Sequence, residues 1–324
     1  TSDLEVMTNL PTNTIFLQTD DTPSYWWKQS DNTWAAEYNY VLGGFSTADS
    51  SGFICGGSTS GSGTPTSASQ KYNGSTWSDM SDIPAAYTLG MGGGNSTDAF
   101  AAGGSSTTSG NMGTSPINTN YLWNGSSWST GNNLSASRNM GAGGGNTSSG
   151  LIWGGTYSQL ASSDEFNGST WSAGGNVSEG IRGFNGDAVN NSSGFSVGGY
   201  NGSSNTTTTQ QYDGTSWTAA NAAIGSGNVQ GDHGGCGTKI SFLSATVSTS
   251  SGGIDYYNGT TWSTTGNTVG GRRAMFGGDG TKAFKASGDN VGNVSSEYYN
   301  GTSWASTGNM ETHVRQAKGV GGNT

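Results

Sequence analysis

The chain has 324 residues, 10 % of them charged, and a net charge of −10; its 11 Lys and Arg stand singly apart from Arg272-Arg273, so no basic stripe exists to neutralise phosphates. Leu, Ile, Val and Phe total only 41 residues, a fraction that accompanies disorder when charge is high, but here charge is modest and 34 aromatic residues recur at regular places. Disorder is thereby excluded, and the aromatics must form the core.

The predicted elements begin after a linker over residues 1–10. No run of 18 apolar residues occurs, and the first residues, TSDLEVMTNLPTNTIF, lack the basic and apolar regions of an export signal. The chain is expected neither to span a membrane nor to carry its own signal; starting on Thr, it could be one piece of a longer product.

From there, one unit repeats. An aromatic residue, a polar turn and a Trp recur as Tyr72-Asn-Gly-Ser-Thr-Trp77, Trp123-Asn-Gly-Ser-Ser-Trp128, Phe166-Asn-Gly-Ser-Thr-Trp171, Tyr212-Asp-Gly-Thr-Ser-Trp217, Tyr257-Asn-Gly-Thr-Thr-Trp262 and Tyr299-Asn-Gly-Thr-Ser-Trp304. A looser instance, Trp27-Lys-Gln-Ser-Asp-Asn-Thr-Trp34, has a turn two residues longer. Successive Trp residues from Trp34 lie 43, 51, 43, 46, 45 and 42 residues apart, the length of a four-stranded propeller blade. Asn-Gly and Asp-Gly favour positive φ, so each instance reads as a hairpin joining strands C and D, with Gly74, Gly125, Gly168, Gly214, Gly259 and Gly301 in the turns.

Upstream of each hairpin two further strands are expected. Strand B closes in Gly-Gly, as in Phe53-Ile-Cys-Gly-Gly57, Phe100-Ala-Ala-Gly-Gly104, Leu151-Ile-Trp-Gly-Gly155 and Phe195-Ser-Val-Gly-Gly199. Strand A is glycine-rich, as in Met140-Gly-Ala-Gly-Gly-Gly145, and is sometimes led by Arg138, Arg182, Arg272 or Arg315. Glycines suit an innermost strand, where backbones approach closely.

The order Arg, Gly-Gly, Tyr, Trp resembles the kelch repeat over essentially the whole chain, although Gly-Gly is missing after Ile15-Phe-Leu-Gln-Thr19, Ile240-Ser-Phe-Leu-Ser244 and Ala283-Phe-Lys-Ala-Ser287. The wording of the repeat also resembles kelch-like structural and tail-fibre proteins of marine bacteriophages. The fold class expected is all-β, a seven-bladed kelch-like propeller over 11–324. Its blades fall at about 11–38 plus 310–324, 39–82, 83–132, 133–175, 176–221, 222–266 and 267–309. The carboxyl segment Val314-Arg-Gln-Ala-Lys-Gly-Val-Gly-Gly322 is expected to complete the amino-terminal blade, leaving no open edge at the seam.

In such a blade the A–B and C–D turns share one face of the disc, and the B–C and D–A connections share the other. C–D turns are uniform, whereas B–C loops 58–70, 105–120 and 200–209 vary, which assigns binding to the second face. Solvated spacers are the competing reading. Seven of the 11 Trp residues hold the repeat position (Trp34, Trp77, Trp128, Trp171, Trp217, Trp262, Trp304), and Trp27 and Trp123 face them. Trp26 and Trp153 stand out of register, as interblade packing or as ligand platforms.

Catalytic constellations are scarce. His233 and His313 both precede a strand A without a third ligand, so no metal and no cofactor are expected. Nothing matches the Cys-Tyr and His set of copper oxidases built on kelch propellers. The segment Tyr212 to Trp217 resembles part of the sialidase Asp-box, yet the arginines fall at scaffold positions. The pairs Asp20-Asp21 and Asp164-Glu165 assign no acid and nucleophile. Asn73, Asn124, Asn167, Asn258 and Asn300 fit a glycosylation acceptor, but Asp213 at the equivalent place shows that a turn former is what the repeat uses. Cys55 and Cys236 read as small buried residues rather than a disulfide. The expected role is a non-enzymatic module of a virion or other extracellular surface, such as a tail fibre, tail tip or capsid decoration. Its partners would be a host-surface glycan or protein and other virion or surface proteins, with a homo-oligomer through a missing or neighbouring segment as a further expectation. A secreted carbohydrate-active enzyme or oxidase on the same fold is the alternative.

Overall fold

A computed structural model describes residues 15–16, 24–28, 33–37, 52–58, 64–73, 76–107, 115–156, 158–183, 185–220, 235–238, 241–245, 252–268, 275–278, 282–286, 295–310 and 318–321. The chain divides into two compact units, Thr1–Leu42 and Gly43–Thr324. In the first, β1 (Ile15–Phe16), β2 (Ser24–Lys28) and β3 (Thr33–Glu37) form an antiparallel sheet in sequence order, with Trp27 opposite Trp34.

The second unit holds six four-stranded antiparallel sheets. Blade 1 combines β4 (Gly52–Cys55), β5 (Ser69–Tyr72) and β6 (Trp77–Asp79) with β27 (Lys318–Gly321). Blade 2 is β7 (Met91–Gly94), β8 (Ala99–Ala102), β9 (Asn120–Trp123) and β10 (Trp128–Thr130). Blade 3 is β11 (Ala142–Gly145), β12 (Gly150–Trp153), β13 (Ser163–Phe166) and β14 (Trp171–Ala173). Blade 4 is β15 (Asn185–Asn190), β16 (Ser193–Val197), β17 (Thr209–Tyr212) and β18 (Trp217–Ala220). Blade 5 is β19 (Gly235–Thr238), β20 (Ser241–Ala245), β21 (Gly252–Tyr257) and β22 (Trp262–Thr268). Blade 6 is β23 (Met275–Gly278), β24 (Ala283–Ala286), β25 (Ser296–Tyr299) and β26 (Trp304–Ser306).

The inner strands close into a ring. β7 lies beside β11, β11 beside β15, β15 beside β19, β19 beside β23, β23 beside β27, and β27 beside β7. This is a six-bladed β-propeller. It corrects the expected seven, and it moves the closing strand: Lys318–Gly321 pairs with Gly52–Cys55, Lys318 opposite Cys55 and Gly321 opposite Gly52, and not with the amino-terminal sheet. The unit at 11–38 and Trp34 therefore fall outside the ring. An aromatic pair facing across a turn belongs to any antiparallel hairpin, so the motif at Trp27 and Trp34 carries no information about ring membership.

Glycine in strand A follows from the closeness of the inner strands. A Cβ on Gly93 would sit 2.5 Å from the Gly144 carbonyl carbon, and one on Gly144 would sit 2.2 Å from the Ala188 nitrogen. Outside this collar the gaps between blades widen and rings fill them. Each blade's Trp lies 4.9 to 5.3 Å, centroid to centroid, from the aromatic across its own hairpin. Four also reach strand B of the preceding blade: Trp77 to Phe284, Trp171 to Phe100, Trp217 to Trp153 and Trp262 to Phe195. The hydrophobic clusters accordingly sit between blades rather than within them, and the one that joins Ile54, Tyr72 and Trp77 to Phe284 and Ala286 packs blade 1 on blade 6. Cys55 is buried, its Sγ 3.4 Å from the Tyr87 hydroxyl; the Cys236 side chain lies outside the described residues.

Candidate functional site

The described turns on one face of the ring share a single device. In the C–D turns the Asn or Asp carboxamide or carboxylate oxygen accepts backbone N–H groups two and three residues on: Asn124 from Ser126 and Ser127, Asn167 from Ser169 and Thr170, Asp213 from Thr215 and Ser216. Asn258 and Asn300 do the same, and Asn73 accepts from Thr76. The following Gly has φ of 91 to 93° at 125, 168, 214, 259 and 301, which is why glycine stands there; Gly74 lies outside the described residues. The A–B turns repeat the device at Asn95, Asn146 and Asn190, which the sequence reading did not single out. The Asp213 carboxyl is held below the ordinary aspartate range, first by the Ser216 N–H and then by the Thr215 N–H.

The opposite face is organised by Gly-Gly. The first glycine of each pair, at 56, 103, 154 and 198, has φ of 64 to 66°, and the second, at 57, 104, 155 and 199, has φ of 92 to 109°. The first donates its N–H to the start of strand C in its own blade, as Gly103 does to the Thr119 carbonyl. The second reaches the next D–A linker: Gly57 donates to the Tyr87 carbonyl, Gly104 to Arg138 and Gly155 to Ile181. The residue after each pair then bonds the preceding linker, Ser105 to Thr88, Thr156 to Asn139 and Tyr200 to Arg182. Each of these linkers is thus held from both sides by main-chain hydrogen bonds.

This register separates two arginines that look alike in the sequence. Arg138 shares its position with Tyr87 and Ile181, and its side chain is fully buried. It donates to the Ser162 carbonyl (2.9 Å) and pairs with Asp164 (2.9 Å), which also accepts from the Ser135 hydroxyl; burial pulls the guanidinium below its ordinary range. Arg182 is one position further along, equivalent to Asn139, with its guanidinium carbon 5.0 Å from the Tyr200 ring centroid. Arg272, Arg315, His233 and His313 lie outside the described residues. In blade 6 Glu297 stands at the place of Asp164 and pairs with Lys285 on the adjacent strand at 3.1 Å, where blade 3 has Ile152 opposite Asp164.

The other sequence candidates divide as follows. Trp153 is fully buried, 4.9 Å from Trp217, so it is core and not a ligand platform. Trp26 lies in β2, opposite Ile15 and Ala35, and its side chain is outside the described residues. Asp164 and Glu165 are successive strand residues and point to opposite sides of β13, so they cannot flank one bond. Glu165 accepts from the Tyr212 hydroxyl, which is pushed up to about 12, chiefly by burial. Asp20 and Asp21 lie outside the described residues. No group of three or more His, Cys, Asp or Glu side chains placed to hold a metal occurs among the described residues. No described helix is long and apolar enough to cross a membrane.

Of the three B–C loops, 200–209 is described in full, while 59–63 and 108–114 lie outside the described residues. Ser58 bridges Pro65, and Ser105 bridges both Thr88 and Pro116, so each described loop base is an antiparallel extension of its blade.

No protein-family model matches the chain, and no curated protein does. Among solved structures, the one described as the structure of YjhT superposes with a TM-score of 0.58 at 11 % identity, over 74 % of this chain and 89 % of that one. At that identity the likeness establishes the propeller fold.

Proposed function

We propose that the ring is a kelch-like, non-enzymatic binding or structural module of a virion or other extracellular surface, a tail-fibre, tail-tip or capsid-decoration domain. It would contact a host-surface glycan or protein through the B–C/D–A face. The observation that carries this reading is the asymmetry of the two faces. One is a set of near-identical short turns, each closed on its own Asn or Asp. The other presents loops of unequal length on linkers clamped from both sides, the usual arrangement for recognition on a rigid scaffold. The acidic pair nearest to a hydrolase signature is committed elsewhere, Asp164 to Arg138 and Glu165 to Tyr212.

The test is a glycan array and a host-cell binding assay on the whole chain. Saturable binding that falls when loop 105–120 is shortened, with the melting temperature unchanged, supports the reading. Turnover of a glycan with binding indifferent to every loop overturns it.

A further inference from the structure

Three loops converge where blades 3 and 4 meet on the B–C/D–A face: 156 and 158–160 after β12, 179–183 before β15, and 200–205 after β16. A Cβ on Gly180 would lie 2.0 Å from the Gln159 carbonyl oxygen, and one on Gly202 would lie 2.8 Å from Gln159 Oε1. Thr156 and Gln159 both hold left-handed backbone, φ 60° and 53°, which side-chain-bearing residues rarely adopt and β-branched threonine adopts at most cost. Such strain persists only where the surroundings over-determine it, and it concentrates at ligand clamps.

At the centre stands Tyr200, half-buried and held at every attachment. Its backbone exchanges two hydrogen bonds with Arg182 (2.9 and 3.1 Å), and its hydroxyl donates to the Gly202 carbonyl at 2.9 Å. The Arg182 guanidinium covers the ring at 5.0 Å. Beside it Asn201 directs its Nδ2 to Glu179 Oε2 at 3.1 Å, while Asn201 Oδ1 is occupied by the Ser203 and Ser204 N–H groups. Glu179 is also half-buried, and Ser158 next to Gln159 is exposed.

We propose that this cluster is a saccharide subsite, with Tyr200 as the stacking platform and Glu179 and Asn201 as the groups that bond sugar hydroxyls. It rests on the reading of the B–C/D–A face as the binding face. A rigid, half-buried aromatic ring stacks well on the C–H face of a pyranose, and a carboxylate beside a carboxamide accepts from and donates to vicinal hydroxyls. The net charge of −10 disfavours an anionic sugar, so the ligand class is neutral.

The experiment is an array of neutral oligosaccharides probed with the intact chain and with Tyr200→Ala, Tyr200→Phe, Glu179→Gln and a chain shortened in loop 105–120. The expected result is binding by the intact chain, weakened roughly tenfold in Tyr200→Ala, retained in Tyr200→Phe and reduced in Glu179→Gln, with melting temperatures alike. Loss in the alanine variant together with a lower melting temperature is checked against Glu179→Gln, which leaves the ring in place. Binding that is indifferent to Tyr200 and Glu179 but lost on shortening 105–120 overturns the subsite and leaves the face as the binding face. No neutral saccharide bound at all also overturns the subsite; host-cell binding through the loops then decides separately whether the face reading survives.

Discussion

The two faces of the ring solve the same problem, ending a pair of strands, by different means. On the A–B/C–D face each described turn is satisfied by its own Asn or Asp, and strain stays within four residues. On the B–C/D–A face the glycine pair donates outward, to its own strand C and to the neighbouring linker, so neighbouring blades share each connection. A local device tolerates repetition and gives uniformity; a shared device fixes the bases of loops and leaves their tips open to variation.

The sharpest test of the shared face is Arg138→Met, which leaves the Asp164 carboxylate buried without its partner. A loss of about 3–5 kcal/mol is expected in urea unfolding, and much of it should return in Arg138→Met with Asp164→Leu. Next is Trp153→Ala, a buried large-to-small change that should cost about 3–5 kcal/mol; a cost near zero would return Trp153 to the list of ligand platforms.

Gly104→Ala and Gly125→Ala then compare the faces directly. Both glycines have positive φ, but a Cβ at Gly104 would lie 2.8 Å from the Thr88 oxygen, whereas one at Gly125 would lie 3.3 Å from Thr97 oxygen. Gly125→Ala should cost about 1–2 kcal/mol, the left-handed penalty alone, and Gly104→Ala clearly more. Equal costs would break the distinction.

The smallest effect belongs to Asp213. Its folded-state pKa is depressed, so its contribution is present above the ordinary aspartate pKa and is lost as pH falls through the lowered value. Asp213→Asn should therefore flatten the acid limb of the melting-temperature profile slightly and leave neutral stability unchanged.

Much of this was legible in the sequence because the repeat writes its constraints locally. Asn-Gly reports a turn, Gly-Gly the close of strand B, and Trp the widening gap between blades. Blade number was not legible, because ring membership is a relation between distant strands, and the Trp27 and Trp34 hairpin carries the same local marks without belonging to the ring. The Arg motif was half legible. Arg138 and Arg182 sit one register position apart, and alternation sends one into an ion pair and the other over Tyr200. The Tyr200 cluster left only a faint trace, since strain at Thr156 and Gln159 has no signature in residue type.

The pairing of β27 with β4 also sets an order of events on the ribosome. Blade 1 has its three outer strands among the first parts of the ring to emerge, yet its inner strand follows all of blades 2 to 6. Throughout that interval the inner edge of Gly52–Cys55 offers unpaired main-chain groups to any passing strand. A product cut short after Ser306 would keep five finished blades and one unpaired strand edge in blade 1.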